Sequence, residues 1–141
     1  NKMVLLNYEN YRPSGGTALL DAVGETITEI ERQIAASLIP TTAIIVILTD
    51  GYENASKKYN LVNIRNMISK LEETGKWTFS FIGATLDAVD VAASMAIKSQ
   101  NSFSFEKTQM KSAVWDKLNK SVSSYFNKKS ENRNLNNFFE D

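Results

Sequence analysis

A chain of 141 residues has the length of one domain, and 43% hydrophobic with 23% charged side chains is ordinary globular composition. Sixteen basic against sixteen acidic residues leave no formal net charge, which excludes a chain-wide cationic surface for nucleic acid or anionic membrane. With neither cysteine nor histidine in the chain, disulfides, thiolate nucleophiles, sulfur-ligated zinc and the commonest general base of neutral pH are excluded as well. Metal chemistry, if present, must use hard oxygen ligands, and these suit Mg²⁺, Ca²⁺ or Mn²⁺. No run approaches the ~18 consecutive apolar residues of a membrane span. The chain reads as soluble and, with no signal-peptide pattern, as cytoplasmic.

Leu20, Val23, Ile27, Ile30, Ile34 and Leu38 recur at steps of three or four and predict one apolar stripe on a helix over about 17–38. Glu25, Glu29 and Arg32 fall off that stripe, and Pro40 closes the helix. The run Ala43-Ile44-Ile45-Val46-Ile47-Leu48 is β-branched and has no polar face, so it predicts a strand buried on both sides. Leu61, Ile64, Ile68 and Leu71 mark a second helix ending near Gly75. Trp77 to Ile82 reads as a strand, Ala88, Val91, Ala92 and Met95 as a small-residue helix over about 87–97, and Ser102 to Phe105 as a short strand. Val114, Leu118, Val122 and Phe126 line one face of a last helix over about 108–126. Residues 127–141 carry five asparagines and little apolar content, which predicts a polar tail or a frayed helical extension, with Phe138-Phe139 read as chance. Helices and strands alternating at these lengths give an α/β fold: a doubly wound, mainly parallel sheet with helices on both faces.

In open parallel sheets, sites form outside the carboxyl ends of the strands. Two segments map there. Thr49-Asp50-Gly51 places a carboxylate where a strand ends and a glycine where the chain must turn. Pro13-Ser14-Gly15-Gly16-Thr17-Ala18-Leu19-Leu20-Asp21 is a glycine loop that delivers a threonine to a helix start. Each also has a structural reading: Thr17 as helix N-cap, Asp21 as an acid near a positive helix end, Asp50-Gly51 as a turn pair. A phosphate cradle fits poorly, because no P-loop lysine follows the glycines.

Together, "YRPSGGTALLDAV", "IIVILTDGYENAS" and "FSFIGATLDAVDVAAS" resemble the von Willebrand factor type A family, especially its small stand-alone bacterial and phage members, over about residues 3–126. The resemblance implies a divalent-cation adhesion site, most simply Mg²⁺, in which Thr17 lends a hydroxyl and Asp50 binds directly or through water. Ser14, Gly15, Gly16, Asp21, Gly51, Tyr52, Glu53 and Asn54 would surround it. An underfilled oxygen site leaves a position for an Asp or Glu of a protein partner. No catalysis, nucleic acid or membrane is implied.

The family's Asp-x-Ser-x-Ser loop does not occur in the sequence, and Met3-Val4-Leu5-Leu6 resembles its third strand rather than its first. The chain therefore reads as the later two thirds of such a domain. The missing strands would come from an upstream segment or a second chain, or Met3 to Leu6 would pair directly with the 43–49 strand. Two alternatives stand beside the binding module: a structural interaction domain with a vestigial metal site, and a metal-dependent hydrolase or phosphotransferase using Asp50. The second lacks histidine, a nearby lysine and an Asp-x-Asp pair.

Overall fold

The computed structural model describes residues 16–84, 86–105, 113–130 and 138–139. Seven elements follow in chain order: α1 (Leu19–Ala35), β1 (Ala43–Thr49), α2 (Leu61–Glu73), β2 (Trp77–Gly83), α3 (Ala88–Ser94), β3 (Ser102–Ser104) and α4 (Ala113–Ser130). The strands form a parallel sheet in the order β1-β2-β3. β1 and β2 pair in register along their whole length, from Ala43 opposite Trp77 to Thr49 opposite Gly83. The class is α/β, as the alternation of periods implies. Met3 to Leu6 lies outside the described residues, and among those described β1 is paired on one side only.

Side chains alternate across β2. Trp77, Phe79 and Phe81 join a core with Val23 and Ile27 of α1, Ile64 and Ile68 of α2, and Ala88 and Ala92 of α3. Trp77 and Phe79 stack with ring centroids 6.1 Å apart. Ile82, on the alternate face, packs with Phe105 and with Val114 of α4. On that same face the Thr78 hydroxyl lies 3.1 Å from the Tyr125 hydroxyl of α4.

Three expectations need correction. The strand buried on both sides is β2, every residue of which is buried. β1 buries Ala43, Ile45 and Ile47, leaves Ile44 and Val46 half-buried and exposes Leu48. As an edge strand among the described residues, it has packing neighbours against one face and few against the other. A β-branched run does not distinguish the two positions.

α1 stops at Ala35, and Leu38 is fully exposed in the loop beyond it. The stripe ran through a chance match at the next periodic position. In α4 the buried face runs through Val114, Ser121 and Tyr125, while Phe126 is 58% exposed. Tyr125 takes the inward place because its hydroxyl meets the polar residue Thr78.

α2 is bounded by a reciprocal cap, with Asn60 and Asn63 each accepting the other's backbone N–H. After its last residue, Glu73, the chain turns away at Gly75, whose φ of 67° lies in the left-handed region that glycine adopts without strain. Ser80 is fully buried in β2 and its hydroxyl has no hydrogen-bond partner among the described residues. An unsatisfied buried polar group costs about 1–3 kcal/mol. Ser80→Ala is accordingly expected to stabilise the fold by about 1 kcal/mol, read as a higher urea midpoint at unchanged slope.

Candidate functional site

The two segments singled out in the sequence meet at the carboxyl end of β1. A Cβ built on Gly51 would lie 2.9 Å from the Thr17 Oγ1, so the threonine hydroxyl rests directly against the Gly51 backbone. A Cβ on Gly16 would come within 2.9 Å of the Ala55 Cβ, a second close approach between the same segments. Two hydrogen bonds also join the segments: Thr17 N–H donates to the side-chain Oδ1 of Asn54 at 2.8 Å, and Asn54 N–H donates to the Thr17 carbonyl at 3.1 Å. After β1 the Thr49 hydroxyl accepts from Gly51 N–H and donates to the Gly51 carbonyl, which fixes the turn.

The start of α1 is capped from outside its own segment. Thr17 is not its N-cap; that position is Ala18, which has no side chain to offer. Instead Glu53 Oε2 accepts from Leu20 N–H at 2.8 Å, and the Ser56 hydroxyl accepts from Asp21 N–H at 3.0 Å. These are two of the amide donors that a helix start leaves without an internal partner. Glu53 also accepts from the backbone N–H groups of Ala55 and Ser56 and from the Ser56 hydroxyl. Asp21 acts in the opposite direction. Its carboxylate accepts from the backbone N–H groups of Lys57, Lys58 and Tyr59, at 2.8 to 2.9 Å. One acid from each segment thus holds the other segment's backbone.

These contacts sort the site residues. Asp21, Glu53 and Asn54 are committed to holding the loop. The Thr17 hydroxyl and the exposed Asp50 carboxylate have no hydrogen-bond partner among the described residues. Tyr52 is exposed on the same loop. Ser14 and Gly15 lie outside the described residues. Among the described residues no three acidic side chains cluster in a metal-binding arrangement. Among the described residues, the side-chain oxygens of the predicted ligands that remain uncommitted are the Thr17 hydroxyl and the Asp50 carboxylate, whose chemistry fits a hard cation that keeps several waters.

Neither Ser56 nor the part played by Tyr59 is foreseen from residue pattern. Tyr59 covers Gly24 in the middle of α1, where a Cβ would lie 2.6 Å from its ring, and its hydroxyl is 3.2 Å from Thr28 Oγ1. A glycine inside an amphipathic helix was the available signal, since it weakens the helix unless something packs there. Gly24→Ala gains about 1 kcal/mol of helix propensity but meets about 1–3 kcal/mol of overpacking. The expected result is a net loss of about 1 kcal/mol, reversing to a gain in a Tyr59→Ala background, measured by chemical denaturation of the four proteins.

No family model, curated protein or solved structure matches the chain. None of the described helices is long and apolar enough to cross a membrane.

Proposed function

We propose that the chain is a binding module of the von Willebrand factor type A kind, built on a doubly wound sheet, that holds an acidic protein partner through a divalent cation at the rim beyond β1. The observation that carries this reading is the seating of the Thr17 hydroxyl against Gly51, the residue next to Asp50, whose exposed carboxylate has no hydrogen-bond partner among the described residues. Asp21, Glu53 and Asn54 support it indirectly, by fixing the loop that presents Asp50. Thr17 and Asp50 would hold the cation with waters completing its shell. A bound Mg²⁺ would supply a positive centre for the carboxylate of a partner Asp or Glu. Ser14, Gly15, Gly16, Gly51 and Tyr52 would frame that contact.

A second reading, an interaction domain with a vestigial metal site, draws on the same geometry. With Asp21 and Glu53 engaged by backbone amides, Asp50 is the one acid left to bind a cation among the described residues of the rim. Calorimetric titration with Mn²⁺ separates the two. The adhesion reading expects saturable binding that is lost in Asp50→Ala, weakened about tenfold in Thr17→Ala (the ~1.4 kcal/mol scale of one hydrogen-bonding ligand), and required for capture of a Glu- or Asp-containing peptide. Absence of Mn²⁺ binding by the folded protein would establish the vestigial reading instead.

A further inference from the structure

Part of the polar segment beyond α4 is buried. Phe138 is 1% exposed, although it lies in neither helix nor strand. Its backbone N–H donates to Asn101 Oδ1 at 2.8 Å, and Asn101 is itself buried, in the turn before β3. The Phe138 ring packs against Tyr125 of α4 at 6.2 Å between centroids, and Phe139 lies 6.2 Å from Phe103 of β3. Lys117 of α4 sits over both Phe103 and Phe139, at 4.4 and 5.8 Å from the ring centroids. A slot between β3 and α4 thus receives two adjacent aromatic side chains and one main-chain N–H.

This is the pattern of a short-peptide site. Anchoring rests on two rings in apolar niches, and position is set by a single buried acceptor aimed at the peptide backbone. Among the described residues neither a strand ladder nor a helix holds Phe138 and Phe139, and the sequence between them and α4 is polar. A tethered occupant of this kind acts at an effective concentration in the millimolar range for a short linker. We propose that the slot formed by Asn101, Phe103, Lys117 and Tyr125 is a docking site for peptide segments bearing two consecutive aromatic residues. The chain's own Phe138-Phe139 occupies it as a releasable placeholder. The site lies on the α4 face of the sheet and is independent of the rim beyond β1.

The test uses the full chain carrying Phe138→Ala and Phe139→Ala together, with folding checked by circular dichroism and thermal melting. A fluorescein-labelled peptide of residues 134–141 is titrated into this variant and into the unaltered protein. The expected result is saturable binding to the variant, at least about tenfold weaker apparent binding to the unaltered protein because its slot is filled, and none for a peptide with both phenylalanines changed to alanine. In the unaltered protein, native-state hydrogen exchange should show the Phe138 amide opening at least about 100-fold more readily than the Phe79 amide of β2, as local release requires. A folded variant that ignores the peptide would overturn the proposal. So would a variant that cannot fold, or a Phe138 amide that exchanges only at the global rate, since the tail would then be a fixed part of the core.

Discussion

Glu53→Ala is expected to lower the unfolding free energy by about 2 kcal/mol, after discounting its hydrogen bonds for partial exposure to water. The carboxylate accepts from the Leu20 N–H in α1 and from the Ala55 N–H, the Ser56 N–H and the Ser56 hydroxyl in its own loop. Alanine leaves all four donors to water and releases the cap of α1. Burial pushes the Glu53 carboxyl up, but the amide of Leu20 and the hydroxyl and amides of Ser56 and Ala55 outweigh it, and the group titrates below its ordinary 4.5. A depressed folded value means that this stabilisation is fully present above pH 4.5 and is lost as pH falls through the folded value. Asp21 has the same sign, held below 3.8 mainly by the amides of Lys57 and Tyr59.

Glu72 opposes them. Its burial raises the carboxyl above 4.5 despite Lys98 at 3.8 Å, so its contribution is present below 4.5 and lost as pH rises through the folded value. Urea midpoints at pH 7, 5 and 3 should therefore fall toward acid in the unaltered protein and fall less in Glu53→Gln. Equal slopes in both would show that the carboxylate does not anchor the loop.

Phe79→Ala should cost about 3–5 kcal/mol, the range for emptying a buried aromatic position. Phe79 is fully buried at the middle of β2, stacked on Trp77, and the cluster it belongs to takes in side chains of α1, α2 and α3. Few neighbours can collapse into the cavity, because β2 is held to β1 in register along its whole length. Against the about 5–15 kcal/mol that holds an ordinary domain together, the loss is about a fifth of the total or more. Val46→Ala is the control: it lies half-buried on the other face of β1 and should cost about 1 kcal/mol or less. Denaturant unfolding of the two variants side by side checks the contrast. A Phe79→Ala loss no larger than that of Val46→Ala would move the core away from β2.

Element type was legible because period carries it. The steps of three and four at Leu20, Val23 and Ile27, and the apolar runs at 43–48 and 77–82, were read from hydropathy alone, and the helices and strands stand there. Rank within the sheet was not legible. Ala43 to Leu48 is more uniformly aliphatic than Trp77 to Ile82, yet the latter is central, because neighbours and not composition decide which strand is enclosed. At the rim, the meeting of Thr17 with Gly51 was legible from two glycine-bearing segments at one end of the sheet. The division of labour among the acids was not. By residue type alone Asp21, Asp50 and Glu53 are alike, and only the family resemblance names Asp50 as the ligand; what Asp21 and Glu53 do instead, accepting from backbone amides, shows only in the fold. Phe138 was read as chance because its partners, Asn101 and Tyr125, are separated from it by stretches with no local pattern.

The matched register of β1 and β2, joined through α2 within residues 43–83, bears on the order in which the chain folds. For a parallel pair its crossover is compact, holding only α2 and the loops on either side, and that helix is capped at both ends. This unit has the contacts of a folding nucleus, onto which α1 is fastened later through Asp21 and Glu53. The rim would therefore take shape late in folding and open early in unfolding, so that a ligand bound there retards unfolding of the whole chain more than it speeds assembly.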